Sequence, residues 1–343
     1  MLKKQQKLAI YMEGSLGELD GKMGYGVLRF SPNPIVAVID SKHAGKQLGD
    51  VIQCGRNCPV VADIEAACAL GAEVLILGIA PSGGRIPQSW MPALTSAIDH
   101  GLSIVNGLHD FLADRFDTST RSEQWIWDVR HVTDELPQMA EGRAAALDNT
   151  RLLMVGTDMA IGKMTVGLEI NKYLIDRGVD STFIATGQIG LTIGGYGIPL
   201  DAVKVDHSCG WVEHCVLEKK QHKVIIIEGQ GSLLHPGSSA TLSLMRGSCP
   251  THLILCHRAG MTHLDTLKVK VPPLKDVIAM NELVSSAAGA LVSAKTIGVA
   301  LNTSALTEQE ATYEIQKTSD ETGLPVTDVV RYGSGDIIDS LIK

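Results

Sequence analysis

The chain has 343 residues, enough for two domains that each bury a core of their own. A hydrophobic content of 45% excludes a disordered chain, and a net charge of −8 without interleaved basic and aromatic residues argues against nucleic acid as a partner. No apolar run is long enough for a membrane span, and seven cysteines, an odd number, fit the reduced thiols expected of a soluble cytoplasmic protein.

Taken in chain order, apolar runs alternate with helical patterns, the rhythm of βα units and parallel sheets. Aromatics are scarce at 4%, and the apolar residues are mostly Val, Ile, Leu and Ala, as buried parallel strands require. The basic start leads into only a short apolar stretch before Glu13, too short for a secretory core. Strands are expected at Leu8–Met12, Ile35–Asp40, Pro59–Val61, Val74–Ala80 and Leu102–Val105. Helices are expected at His43–Gly49, Ala62–Leu70, Met91–Asp99 and Asp110–Arg115. The charged segment from Gln124 to Asn149, with Asp134, Glu135 and Pro137, breaks the rhythm and reads as a linker. The expected division is residues 1–148, Rossmann-like, and residues 149–343, P-loop NTPase-like, making an α/β protein of two parallel-sheet domains. The second half restarts with strands at Leu152–Gly156, Thr182–Ala185, Val224–Glu228, Leu253–His257, Ile297–Leu301 and Val326–Val330. Its expected helices are Lys163–Arg177, Leu200–Lys219, Asp276–Ala288, Thr307–Thr318 and Asp336–Ile342.

The strongest chemical signal is the run Gly156-Thr157-Asp158-Met159-Ala160-Ile161-Gly162-Lys163-Met164-Thr165. An apolar strand enters a glycine-bounded loop, then Gly-Lys, then an amphipathic helix. Backbone N–H groups of such a loop and of the helix start make a nest for phosphate oxygens, and the lysine reaches a terminal phosphate. Five residues separate the glycines, one more than in the standard P-loop, and Met164 displaces Thr165 from the usual metal-ligand position. No metal is expected. Glu228, ending the strand Val224–Glu228 before Gly229-Gln230-Gly231, is placed to face the phosphates or their metal. The loop Thr186-Gly187-Gln188 opens on the same sheet edge. In the first half, Ser82-Gly83-Gly84-Arg85 follows a strand and forms a candidate anion nest, with His109 after the next strand. Cys249, His252, Cys256, His257 and His263 crowd one segment without Cys-x-x-Cys pairing, a poor zinc set. Gly14 and Gly17 are too sparse for a dinucleotide fingerprint.

The Gly156-Thr-Asp and Gly162-Lys163 pair, with Glu228-Gly-Gln-Gly, resembles the dethiobiotin-synthetase branch of P-loop proteins, departing at Met164. A resemblance over nearly the whole chain is carried by Tyr25-Gly-Val-Leu-Arg-Phe-Ser-Pro, Gly78-Ile-Ala-Pro-Ser-Gly-Gly, Asn106-Gly-Leu-His-Asp-Phe-Leu, Gly195-Tyr-Gly-Ile-Pro-Leu-Asp201 and Gly229-Gln-Gly-Ser-Leu-Leu-His-Pro236. On these stretches the chain is similar to the D-glutamate N-acetyltransferases of the DgcN type. The resemblance implies acetyl-CoA as co-substrate and D-glutamate as acceptor in D-amino-acid catabolism. Composition and spacing show only a phosphate-binding enzyme.

With that chemistry, Gly156, Thr157, Asp158, Gly162, Lys163, Met164, Thr165 and Gln188 are the candidate coenzyme-binding residues. Glu228, His235 and Asp158 are candidate bases for the acceptor amine. Ser82, Gly83, Gly84, Arg85, His109 and Arg258 are candidates for the acceptor's carboxylates. Two alternatives stay open: an ATP- and Mg²⁺-dependent ligase or kinase acting on a small carboxylate, and a nucleotide-binding regulatory protein. A homo-oligomer is the default expectation for a soluble enzyme of this size.

Overall fold

Short, largely buried apolar runs build two separate sheets, and in each of them every strand pair is parallel. The computed structural model describes residues 2–118, 123–132, 137–265 and 268–341. The chain divides into two units, residues 1–133 with 188–195, and residues 134–187 with 196–343.

The first unit contains β1 (Leu8–Tyr11), α1 (Lys22–Phe30), β2 (Ile35–Ile39), β3 (Val60–Val61), α2 (Ile64–Ala69), β4 (Val74–Leu77), α3 (Met91–Asp99), β5 (Ser103–Asn106) and β6 (Ile126–Asp128). Its strand order is β3-β2-β1-β4-β5-β6, the Rossmann arrangement, with the switch point between β1 and β4. All four residues of β1 and of β4 are buried, as expected for central strands covered on both faces.

The second half of the chain contains β7 (Thr150–Gly156), α4 (Lys163–Asp176), β8 (Ser181–Ile184), α5 (Gln188–Gly194), α6 (Val205–Glu218), β9 (Val224–Ile227), α7 (Ala240–Ser248), β10 (His252–Arg258), α8 (Leu274–Ser285), β11 (Lys295–Asn302), α9 (Glu308–Thr322), β12 (Val326–Thr327) and α10 (Gly335–Ile338). Of these, α5 is counted with the first unit, where it packs on α1. The second sheet runs β12-β11-β10-β7-β9-β8. The connection after β7 leads towards β8 and the one after β10 towards β11, so the chain diverges between β7 and β10, the place where such sheets bind ligands.

Several elements differ from the sequence reading for local reasons. His43–Gly49 holds only two 3-10 turns, because the buried Asp40 carboxylate binds the His43 ring and Gly45 turns the chain at φ +86°. Asp110–Arg115 is a turn, because the amides of Leu112 and Ala113 donate to the Asp128 carboxylate. That carboxylate belongs to β6, which lies inside the segment read as a linker; later in that segment Arg143 pairs with the buried Glu213 of α6. Asp134 and Glu135 lie outside the described residues, as does Ile342. Leu200–Lys219 is a 3-10 turn followed by α6.

Three helices went unread: α1, α5 and α7. Each carries glycine or short polar residues with low helix propensity. Their glycines serve packing instead. A Cβ on Gly24 would stand 2.1 Å from Met12 Sδ, and one on Gly247 would stand 2.4 Å from the Cys209 carbonyl. Among the described residues no helix is long and apolar enough to cross a membrane.

Candidate phosphate-binding site of the second unit

The β7 strand delivers the chain to the switch point at Gly156, which pairs with Cys256 of β10. A side chain at Gly156 would collide with Ile161 at 2.7 Å, so only glycine lets the loop fold back over its own strand. The loop then takes two left-handed positions, Ala160 at φ +53° and Gly162 at φ +113°. Gly162 is the N-cap of α4, and the first bond of that helix runs from Val166 N–H to the Gly162 carbonyl. The amides of Lys163, Met164 and Thr165 therefore have no intrahelical acceptor and carry the positive end of the helix dipole. An anion meets both features at once.

Lys163 is 6% exposed, and its ammonium donates to the Asp158 carbonyl at 2.6 Å. Burial pushes its pKa down, opposed by the nearby Cys256, Asp158 and Glu228. A buried ammonium with a single carbonyl acceptor has donors left over for phosphate oxygens. Asp158 holds the loop's shape: one carboxylate oxygen accepts from the Met159 amide at 2.7 Å and the other from the Asp265 amide at 2.9 Å. Thr157 shares a hydrogen bond of 2.9 Å with His257 Nδ1 and donates its amide to the Cys256 carbonyl. Burial, then Arg258, push the His257 imidazole down to about 4, so the ring is neutral at physiological pH. Met164 and Thr165 lie half-buried in the first turn of α4.

Glu228 follows directly on β9, next to β7. It is 4% exposed, and burial pushes its carboxyl up to about 7, against the pull of Lys163 and of two amide donors. Those amides, Thr186 at 2.8 Å and Gly187 at 3.2 Å, meet the same oxygen, Oε2, tying the end of β8 to the end of β9. The next residue has no freedom: a Cβ on Gly229 would stand 1.9 Å from the Met154 carbonyl and 2.7 Å from Lys163 Cδ. The glycine turn expected from sequence is thus a close crossing of β7 by the chain leaving β9. His235 lies further along that turn, with Nδ1 accepting from the Gly237 amide and Nε2 buried without a partner among the described residues.

The second unit brings together Gly156, Thr157, Asp158, Gly162, Lys163, Met164 and Thr165 in one loop and helix start, with Glu228 within electrostatic reach of Lys163. Arg258 is committed to an ion pair with Asp265 through both terminal nitrogens. Gln188 is the first residue of α5, counted with the first unit, where its side chain lies over Gly107. Also in that unit, Ser82 and Gly83 form the tip of a turn closed by Gly84 N–H to the Pro81 carbonyl. The His109 ring lies against Gly84, 2.4 Å from where a Cβ would be, and Arg85 pairs with Asp110 at 2.9 Å. Sequence reasoning left His257 without a role; its position one residue beyond an apolar core run was the available signal. Among the described residues no group of three or more His, Cys, Asp or Glu side chains is arranged to hold a metal.

Comparison with other proteins agrees with this architecture. Residues 138–338 match the P-loop domain of unknown function DUF1611_C, and residues 41–132 match the Rossmann-like domain DUF1611_N. The chain is 46% identical to a DUF1611 family protein from Anabaena variabilis whose crystal structure superposes with a TM-score of 0.94, covering 98% of this chain and 99% of that one. It is 34% identical over 331 residues, 94% of each chain, to a protein of Tritonibacter scottomollicae named D-glutamate N-acetyltransferase. A protein of a Pseudoalteromonas species with the same name is 33% identical, over 80% of this chain and 83% of its own. A P-loop domain match over more than half the sequence, joined to full-length similarity of this degree, shows that the chain belongs to the DUF1611 family.

Proposed function

We propose that this protein is a D-glutamate N-acetyltransferase, taking the acetyl group of acetyl-CoA to the α-amine of D-glutamate and releasing CoA and N-acetyl-D-glutamate for D-amino-acid catabolism. The similarity over nearly the full chain to two relatives bearing that name carries the reading. The buried Lys163 at the start of α4 supports its coenzyme half. CoA presents a diphosphate and a ribose phosphate, which the Lys163 ammonium and the amides of residues 163–165 suit without any need for hydrolysis.

Acyl transfer needs a neutral amine, an acceptor for its proton and donors for the developing oxyanion. Glu228, with a carboxyl near neutrality, has the proton affinity for the second task. For Glu228 to act, the thioester at the end of the pantetheine arm and the acceptor amine would have to meet beside that carboxyl. Asp158 has both oxygens occupied by amides and shapes the loop. His235, with its unpartnered Nε2, is the other base candidate. Arg85 and its turn are the candidates for the acceptor carboxylates in the first unit.

The test is an assay without nucleotide. The enzyme is incubated with acetyl-CoA and D-glutamate, and free thiol and N-acetyl-D-glutamate are measured. Release of both supports the reading. ADP formation that requires ATP and the amino acid, without thiol release, overturns it in favour of a ligase or kinase. Normal turnover by both Glu228→Gln and His235→Ala enzymes would remove these two residues as the base.

A further inference from the structure

Lys163 and Glu228 come from different elements, the start of α4 and the end of β9, and both are buried beside the phosphate loop. The Lys163 stem runs against the residue that follows Glu228: a Cβ on Gly229 would stand 2.7 Å from Lys163 Cδ. The ammonium is set on the Asp158 carbonyl, not on the Glu228 carboxylate. The pair is therefore coupled through space, with neither charge locked onto the other.

The two oxygens of Glu228 are held differently. Oε2 accepts both the Thr186 and the Gly187 amide, whereas Oε1 makes no hydrogen bond among the described residues and keeps contact with solvent. One oxygen is a fixed acceptor, and the other is free to carry a proton. The charged groups around the pair are the Asp158 carboxylate of the phosphate loop and the Asp201 carboxylate of the turn Leu200–Ala202. The Cys256 thiol of β10 is pushed up to about 12 by burial and stays neutral. One ammonium thus already answers more than one carboxylate before any ligand arrives.

A phosphate seated in the nest adds negative charge and takes the remaining donors of Lys163. Like charges close together in a dry site cannot all stay ionised. A phosphate monoester gives up its second proton near pH 6, and burial has already lifted the Glu228 carboxyl to about 7, so the carboxyl is the group that yields. We propose that this site binds its phosphate ligand together with a proton, which Glu228 takes from solvent on Oε1, so that Glu228 is a neutral acid in the complex. The inference rests on the phosphate reading of the loop, and it holds for CoA and for ATP alike. In acyl transfer, work by Glu228 as a base requires that this proton leave first.

The experiment is calorimetric titration of the intact protein with CoA and with ADP, in EDTA, using buffers of different ionisation enthalpy between pH 7 and 8.5. It is run on the wild type and on Glu228→Gln, which keeps an oxygen for the two amides but cannot titrate. The wild type should take up roughly half a proton or more per ligand at pH 7.5, and its affinity should fall about fivefold from pH 7 to 8.5. Glu228→Gln should take up none and hold its affinity within about twofold. A second readout needs no variant. In wild-type protein carrying isotope-labelled glutamate, infrared difference spectra on adding CoA or ADP should lose a carboxylate band and gain a carboxylic-acid band. Binding without proton uptake by the wild type, equal uptake by Glu228→Gln, or spectra with no new carboxylic acid would overturn the inference and leave the phosphate reading standing. A wild type that binds neither ligand would end both.

Discussion

The two sheets meet the same geometric opportunity and use it in opposite ways. Each is six-stranded and parallel, with a switch point beside its first strand. In the first unit that point is plugged. The Met12 side chain is fully buried, and Met12 Sδ lies 2.1 Å and 2.6 Å from where Cβ atoms on Gly24 and Gly78 would be. The Gly24 amide donates to the Gly78 carbonyl at 2.7 Å, so α1 closes directly onto the strand ends. In the second unit the equivalent place is a glycine-bounded loop whose buried lysine and helix amides have hydrogen bonds to spare. A parallel sheet thus supplies a location for a ligand, and the residues just past its central strands decide whether the location is filled by protein.

Five substitutions would break or sharpen that contrast, taken from the largest effect down. Gly229→Ala drives a methyl into the Met154 carbonyl, a backbone contact that cannot step aside. It should destabilise the second unit by about 4 kcal/mol or more, or prevent folding, read by denaturant unfolding. A variant of near wild-type stability would show that the β7–β9 crossing is looser than described. In the first unit, Met12→Ala should cost about 3 kcal/mol as a cavity. Gly24→Ala should cost less when added to Met12→Ala than when added to the wild type, because the clash is with Met12 itself. Additive costs would refute the plug.

Glu228→Gln acts through pH. The Glu228 carboxyl rises from 4.5 to about 7 on folding, so the folded state keeps a proton that the unfolded state releases, and stability falls as pH climbs through that window. His257 falls from 6.5 to about 4, so the unfolded state takes up a proton that the folded state refuses, and stability falls as pH drops through its window. The two slopes oppose each other where the windows overlap. With Gln at position 228 only the histidine slope remains. The variant's Tm should rise more steeply with pH from 4.5 to 6.5 than the wild type's, and at pH 8 it should be the more stable by about 2 kcal/mol. Identical pH profiles would contradict the raised Glu228 carboxyl. The smallest stability effect is expected from Arg85→Ala, whose ion pair with Asp110 joins a side chain that is 77% exposed. Its stability should change by less than about 1 kcal/mol. If Arg85 holds an acceptor carboxylate, the KM for D-glutamate rises while kcat stays.

Much of this was legible in the sequence because parallel strands advertise themselves as unbroken apolar runs. Val224–Ile227 and Leu253–Leu255 are read without ambiguity, and the Gly-Lys pair at 162–163 marks the loop between strand and helix. What stayed hidden depends on partners remote in sequence. The helical state of α1, with Gly24 and Gly26, is set by contact with Met12 and Gly78, which propensity cannot see. β6 is short and its strand character follows from pairing with β5. At the candidate site, Glu228 was readable as an acid at a strand end, whereas its two amide donors from the β8 loop were not. Arg258 looked available for a substrate because Asp265, its partner, lies beyond a turn that no local pattern announces.

The most direct measurement is the affinity of Lys163→Ala protein for CoA, with Tm recorded alongside. The substitution removes the buried ammonium and should leave the loop's glycines and amides in place. A loss of roughly tenfold to a hundredfold in affinity, with the fold intact, is the expected result for a charge-assisted phosphate contact. Affinity equal to that of the wild type would mean that the coenzyme's phosphates are held elsewhere.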